Sequence, residues 1–79
     1  MATMNVRVLE INEVRFDGNA LSISVPATSG VMQILPGHEP IIATLTSGII
    51  EIQHTEGSEK IDIEQGYLEA TQDQVTVLL

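Results

Sequence analysis

Residues 34–40 read Ile-Leu-Pro-Gly-His-Glu-Pro, and no other stretch of this chain is so tightly specified in conformation. Pro36 fixes its own φ and lacks an N–H donor, while Gly37 can adopt a positive φ without steric cost. The second proline biases Glu39 toward an extended conformation. We therefore predict a rigid corner, with His38 displayed at its apex. A preorganised corner of this kind is suited to meeting a partner, because it loses little entropy on docking.

On both sides of this corner, apolar residues alternate with polar ones. A period of two is typical of β-strands that pack one face and leave the other in water. β-Branched residues dominate these runs, as a pleated and half-buried surface prefers. The inward positions predict a core of thirteen residues: Val6, Val8, Leu21, Ile23, Val25, Ile50, Ile52, Ile61, Ile63, Leu68, Ala70, Val75 and Val77.

Turn-forming residues separate these runs at short intervals. They lie at 17–19, 47–48, 56–58, 65–66 and 72–73 and include the Gly, Asn, Asp and Ser residues that turns favour. No segment has the spacing of three and four that an amphipathic helix requires. We predict an all-β fold with essentially no helix, an antiparallel β-sandwich or flattened barrel of about eight to ten short strands. We expect residues 1–79 to form one domain.

Composition excludes several classes of function. The chain has no cysteine, and its eleven acidic residues face three basic ones, for a net charge of −8. Phosphate backbones and anionic membrane surfaces are repelled by such a charge, so we expect no nucleic-acid partner. No apolar run approaches the length of a membrane span, and we expect no direct membrane insertion. The apolar residues are committed to one small core, which predicts no small-molecule substrate and no cofactor.

Two histidines lie next to carboxylates in the sequence, which raises the question of catalysis. His38 precedes Glu39, and His54 is followed by Glu56. Imidazole beside carboxylate can orient a general base or bind zinc. Neither pair has an evident third ligand or a nucleophile nearby, so we predict a non-catalytic protein without a metal site.

Apolar residues also flank the corner outside the regular alternation: Val31, Met32, Ile34 and Leu35 before it, and Ile41 and Ile42 after it. They either close one end of the sandwich or face a partner. A small polar loop at 27–30 precedes them, and such loops often present backbone groups to another surface.

Taken together, these segments resemble the ε subunit of bacterial and chloroplast F-type ATP synthases, which is called δ in mitochondria. That family has a Val-Pro pair, a loop glycine and an Ile-Leu-Pro-Gly-His-x-Pro corner, followed by Gly-Phe-Leu-Glu-Val and Val-Thr-Val-Leu segments. The similar segments here occur in the same order over nearly the whole chain: Phe16–Gly18, Val25-Pro26, Gly30, Ile34–Ile42, Gly48–Ile52, Gly66–Ala70 and Val75–Leu78.

The resemblance implies a non-catalytic central-stalk, or rotor, subunit of a proton- or sodium-translocating F-type ATP synthase. Such a subunit couples rotation of the c-subunit ring to the γ subunit, and it lies peripherally at the cytoplasmic face of the inner membrane. The residues implied on the γ side are Pro36, Gly37, His38, Glu39 and Pro40. Those implied on the c-ring side are Thr28, Ser29, Gly30, Val31 and Met32.

This sequence departs from the family pattern in the loop. Family members usually carry an acidic residue after the loop glycine and another glycine two positions later, where this chain has Val31 and Gln33. We expect an apolar contact by Val31 and Met32 to replace the acidic one, with Glu39 supplying charge nearby.

A second departure concerns the C-terminal side. Typical members continue into two antiparallel helices that form a regulatory arm, whereas this sequence ends at Leu79. The inhibitory movement of that arm, and the ATP binding of some members, are therefore not carried over to these residues.

The alternative interpretation is a free-standing β-sandwich module that recognises proteins or sugars. Sugar sites usually display aromatic platforms, and Phe16 and Tyr67 are the only aromatic residues of the Phe, Tyr and Trp types. An OB-like nucleic-acid binder needs basic and stacking residues, which are likewise lacking.

Overall fold

A computed structural model describes residues 2–79, and these residues form nine β-strands and no helix. The strands are β1 (Met4–Glu10), β2 (Glu13–Ala20), β3 (Ser22–Ala27), β4 (Gly30–Ile34), β5 (Ile41–Leu45), β6 (Gly48–His54), β7 (Gly57–Ile63), β8 (Gly66–Ala70) and β9 (Gln74–Leu78). The predicted all-β fold is confirmed. The described residues also contain no helix long and apolar enough to cross a membrane.

The strands form two layers that continue into one another. The first layer has the order β2-β1-β9-β8-β5, and the second has the order β4-β3-β6-β7. They join where Ala27 of β3 pairs with Leu45 of β5. Two further backbone hydrogen bonds close this junction: the N–H of Thr28 donates to the carbonyl of Thr44 (3.0 Å), and the N–H of Thr46 donates to that of Pro26 (2.8 Å). The core lies between the layers.

One strand pair departs from the antiparallel pattern. β1 and β9 run parallel, from the pair Asn5 and Gln74 to the pair Leu9 and Leu78. All other strand pairs in the described part of the chain are antiparallel. The sheet is therefore mixed, a detail that the alternation of apolar residues does not encode, because alternation is the same for either strand direction.

Twelve of the thirteen predicted core residues are buried. The exception is Leu21, which is half-buried because it lies between β2 and β3, where its N–H donates to the carbonyl of Gln53. The neighbouring Ser22 is buried instead. The core also contains five residues that the prediction omitted: Met4, Ala20, Ala27, Ile34 and Leu45.

The neighbouring strands β3 and β6 approach one another closely at Gly48, the first residue of β6. A Cβ atom at position 48 would lie 2.8 Å from the Cβ of Pro26 in β3. Contacts this short force a shift of the backbone or of the proline ring. A glycine at this position therefore allows the start of β6 to lie against Pro26 of β3.

We predict that Gly48→Ala lowers the free energy of unfolding by about 2 kcal/mol, the usual scale for overpacking. Gly57→Ala is the matched control, because both glycines have positive φ (157° and 144°), but a Cβ at Gly57 meets nothing within 4 Å. Denaturant unfolding of both variants gives the comparison. Equal losses of stability would contradict a specific contact with Pro26.

Candidate functional site

The predicted corner is a tight turn over residues 35–38. The N–H of His38 donates to the carbonyl of Leu35 at 3.3 Å, and Gly37 has a φ of 86°. A proline at the second position and a glycine with positive φ at the third define a type II turn. The local sequence therefore determines the backbone here, since few other residues fit either position.

A second contact ties the turn to the rest of the molecule. The N–H of Gly37 donates to the carbonyl of Gln72 at 3.0 Å, in the loop between β8 and β9. Ile34, at the end of β4, is buried, whereas the adjacent Leu35 is 52% exposed. The anchor at Gln72 was missed by the sequence interpretation, because a backbone acceptor leaves no residue-type signal. Its location in a predicted turn was the only hint.

The side chain of His38 is oriented differently from the prediction. Its Nδ1 lies 2.7 Å from the carbonyl oxygen of Glu39 and donates a hydrogen bond to it. Its Nε2 is buried and has no partner among the residues described. The apex of the turn is formed by Pro36 and Gly37, and His38 is the last turn residue, where the chain already heads back toward the protein. The prediction that His38 is displayed at the apex of the turn was therefore wrong.

The second predicted loop is the tip of the hairpin between β3 and β4. Ala27 pairs with Gly30, so Thr28 and Ser29 form a two-residue connection, and both are exposed. Val31 follows and is 81% exposed. Met32, by contrast, is half-buried and packs against the core. Val31 and Met32 were both expected to contact a partner, and Val31 is the one whose side chain is available for such a contact.

The structure separates the two loops. Strand β4, five residues long, begins at the hairpin tip and ends at the corner, which corresponds to about 16 Å at 3.3 Å per residue. The hairpin tip lies beside Thr44 and Thr46, while the corner lies beside Gln72 at the other end of the strands. Each predicted set of residues is contiguous, but the two sets occupy opposite ends of the sandwich.

In the structure, each histidine contacts a group other than the carboxylate next to it in the sequence. At His38 the acceptor is the carbonyl of Glu39, not its carboxylate. At His54 the nearby carboxylate belongs to Glu59, 3.3 Å from Nε2, while the backbone N–H of Glu56 donates to Nδ1. Phe16 of β2 stacks on the His54 ring at a centroid distance of 6.1 Å. His54 therefore links the two layers along the side opposite the β3–β5 junction. No group of three potential metal ligands occurs among residues 2–79.

Glu59 was missed by the sequence interpretation, which paired His54 with Glu56. The register of the β6–β7 hairpin determines which glutamate lies near His54, because it pairs His54 with Gly57 and Ile52 with Glu59. Glu59 is thereby brought diagonally across from the imidazole, a distance that long side chains span.

Both arginines are engaged with carboxylates of the same chain. Arg15 contacts Glu10 at 2.8 Å and Glu13 at 3.5 Å, and Arg7 lies 4.0 Å from Asp17. The hydrogen bond to Glu10 raises the pKa of the Arg15 guanidinium further above its ordinary value. All of these residues lie on the β1–β2 hairpin. Neither candidate loop contains a lysine or an arginine, and Glu39 is the one acidic residue in them.

The chain matches a known family over almost its whole length. Residues 3–79 fit the family described as "ATP synthase, Delta/Epsilon chain, beta-sandwich domain". The family description names a β-sandwich, which agrees with the two-layer fold. This chain belongs to that family.

Curated relatives carry the name ATP synthase epsilon chain. The protein of Bordetella avium is 40% identical over 79 residues, covering 99% of this chain and 56% of the relative. That of Leptospira borgpetersenii is 35% identical over 75 residues, covering 95% of this chain and 59% of the relative. The chain thus spans less than two thirds of the length of these relatives.

Two solved structures share the fold. A chain in the cryo-EM structure of the Euglena gracilis mitochondrial ATP synthase, comprising OSCP, F1 and c-ring, superposes with a TM-score of 0.89 at 21% identity, covering 99% of this chain and 51% of that one. A chain in the central stalk and c-ring of the Tetrahymena thermophila mitochondrial ATP synthase gives a TM-score of 0.79 at 12% identity, covering 95% and 61%. At these identities the likeness shows the fold.

We predict that the two neutral histidines are opposite tautomers. His38 donates from Nδ1 to a carbonyl, whereas His54 accepts at Nδ1 from the Glu56 N–H and must carry its proton on Nε2. Long-range ¹H–¹⁵N correlation spectra recorded above pH 8, where imidazoles are normally neutral, distinguish the two forms. A proton on Nε2 of His38 would contradict the described corner, and His54 serves as the internal control.

Proposed function

We propose that this chain is the β-sandwich part of a non-catalytic central-stalk subunit of a proton- or sodium-translocating F-type ATP synthase. In this role it couples rotation of the c-subunit ring to the γ subunit. The observation that carries the proposal is the family match over residues 3–79, together with 40% identity to a protein named ATP synthase epsilon chain. The assignment implies a peripheral position at the cytoplasmic face of the inner membrane, within the complex.

The separation of the two loops supports this role. We assign residues 36–40 to contact with γ and residues 28–32 to contact with the c-ring. Strand β4 joins the two loops directly, and both are fastened by backbone hydrogen bonds, the corner to Gln72 in the β8–β9 loop and the hairpin to Thr44 of β5. A load applied at one end is thereby passed to the other through a hydrogen-bonded and close-packed body, which has low compressibility.

A mechanical role also fits the use of the histidines. Both imidazoles are held in contacts that stabilise the fold, His38 at the corner and His54 between the layers. The family match favours the rotor role over a free-standing protein- or sugar-recognition module.

The direct test is assembly. The tagged chain is expected to retain γ and c-ring components in a pull-down, whereas a glycan array and an oligonucleotide mobility shift should show no binding. Failure to retain γ, with a folded chain confirmed by circular dichroism, would contradict the proposal.

At the corner, we predict that Pro36→Ala weakens γ binding more than it weakens the fold. Freeing φ at this one half-buried position costs about 0.4–1 kcal/mol of stability. The partner must then also order the relaxed turn, and an ordering cost of about 1–2 kcal/mol per residue corresponds to roughly tenfold in affinity. Thermal unfolding and γ affinity are measured on the same variant. Equal free-energy losses in the two measurements would argue against a preorganised docking corner.

At the hairpin, we predict that Val31→Asp lowers c-ring retention severalfold. The side chain is 81% exposed, so the substitution changes the surface without opening the core. Ile49→Asp on β6 is the matched control, since Ile49 is also an exposed apolar residue (53%) but lies outside both loops. If assembly yield is unchanged by Val31→Asp, or falls equally for the control, the apolar contact is wrong.

A further inference from the structure

The free edges of the sheets differ in how they are protected. A strand at a sheet edge presents unpaired backbone groups, and proteins usually guard such edges with charges or proline. β2 carries Glu13, Arg15 and Asp17, and β7 carries Glu59, Lys60 and Asp62. In contrast, β4 (Gly30–Ile34) has neither a charged residue nor a proline. Its sole pairing partner among the described strands is β3.

The backbone of β4 is oriented so that two residues face this free edge. The carbonyl of Pro26 accepts a hydrogen bond from Thr46 on the β5 side of β3, so the backbone groups of Pro26 point away from β4. Its register partner Val31 must then point its own N–H and carbonyl away from β3, because directly opposed antiparallel residues either both face each other or both face away. Gln33, two residues on, has the same orientation.

The side chains at this edge are neutral, and acidic groups lie beside them. Val31 is 81% exposed and Gln33 is also exposed. Ser24 separates Gln33 from Glu51 across the outer face of the sheet, and the exposed Glu39 follows the far end of the strand. The chain as a whole carries a net charge of −8. The free edge of β4 is thus an uncharged surface surrounded by negative charge.

We propose that the free edge of β4 binds an extended, basic segment of another protein, which adds to the second layer as a fifth strand. Strand addition of this kind takes its affinity from main-chain hydrogen bonds and its selectivity from alternate side chains. Val31 and Gln33 supply the hydrogen bonds. Lysine or arginine on the outer face of the added strand meets the flanking carboxylates, and its aliphatic stem packs on Val31.

Charge decides between a foreign segment and a second copy of this chain. Two copies, each carrying −8, repel one another, whereas a basic strand is attracted and steered toward the edge. The inference concerns the hairpin assigned above to the c-ring, but it rests on the edge itself and goes beyond the rotor role.

The test uses the full chain of residues 1–79 and a defined probe, the capped peptide Lys-Val-Lys-Val-Lys-Val. Amide hydrogen exchange followed by NMR is expected to slow by about tenfold or more at Val31 and Gln33 when the peptide is saturating, because both N–H groups then become hydrogen-bonded. Edge amides of β2 and β7 should be unaffected. The same peptide with glutamate in place of lysine should produce no protection.

Side-chain variants test the role of charge. Gln33→Lys is expected to weaken peptide binding severalfold and Gln33→Glu to strengthen it. Gln53→Lys, an equivalent change on the exposed face of the interior strand β6, is the matched control and should have a smaller effect than Gln33→Lys. Equal effects at the two positions would show that only the net charge of the chain matters, which overturns a site at β4.

The remaining outcomes are also decisive. No slowing at Val31 and Gln33 at several millimolar peptide overturns the proposal, as does protection that rises with protein concentration in the absence of peptide, which would show pairing of two copies. A chain that binds the peptide but is not retained by γ or the c-ring would support this inference and contradict the rotor role. Retention by γ or the c-ring without peptide binding would support the rotor role and contradict this inference.

Discussion

Strand β3 holds the molecule together, because its residues pair with three other strands. It pairs with β4 along its length, with β6 through Ser22–Ser24, and with β5 through Ala27. The junction of the two layers depends on this strand. The same hairpin also carries the exposed loop at 28–29 and, through β4, leads to the corner, so the positions of both candidate loops follow from β3.

Proline in the interior of a sheet is normally unfavourable, since it cannot donate to the ladder. Pro26 is accommodated because it sits where β3 passes from one neighbour to another. Its carbonyl is used by Thr46, and its ring occupies the space left by the missing side chain of Gly48. Pro26 and Gly48 thus act as a complementary pair at the junction, which accounts for a proline and a glycine at two strand positions where neither has a high propensity.

Much of the fold could be predicted from the sequence, because binary alternation is a direct consequence of packing one face of a strand. The prediction was wrong at Leu21, where the chain bends between two strands and the phase changes. It omitted Ile34 and Leu45, which lie outside the clearest runs yet point into the core. Strand direction could not be predicted from the sequence pattern either. The parallel pairing of β1 and β9 depends on how distant segments meet, and no local pattern records that.

At the candidate site, too, local features could be predicted from the sequence and features that depend on distant contacts could not. The backbone of the corner was predictable, since Pro36 and Gly37 tolerate few conformations other than a type II turn. The direction of the His38 side chain was not, because it depends on the carbonyl of the next residue and on packing around the ring. The anchor at Gln72 involves a main-chain acceptor 35 positions away from Gly37, which side-chain chemistry does not reveal. The assignment of the two loops to γ and the c-ring came from family resemblance and stays a prediction.

The parallel pair of β1 and β9 has a consequence for how the chain reaches its folded state. Residues 5–9 meet residues 74–78, so the closing contact spans almost the entire β-sandwich. High sequence separation of this kind slows folding, because chain entropy is lost before the contact compensates for it. During synthesis β1 can pair with β2 early, but its other side waits for β9 to leave the ribosome. Until then, the apolar residues of the partly folded β-sandwich are exposed to aggregation, and early engagement by a chaperone is the physical remedy.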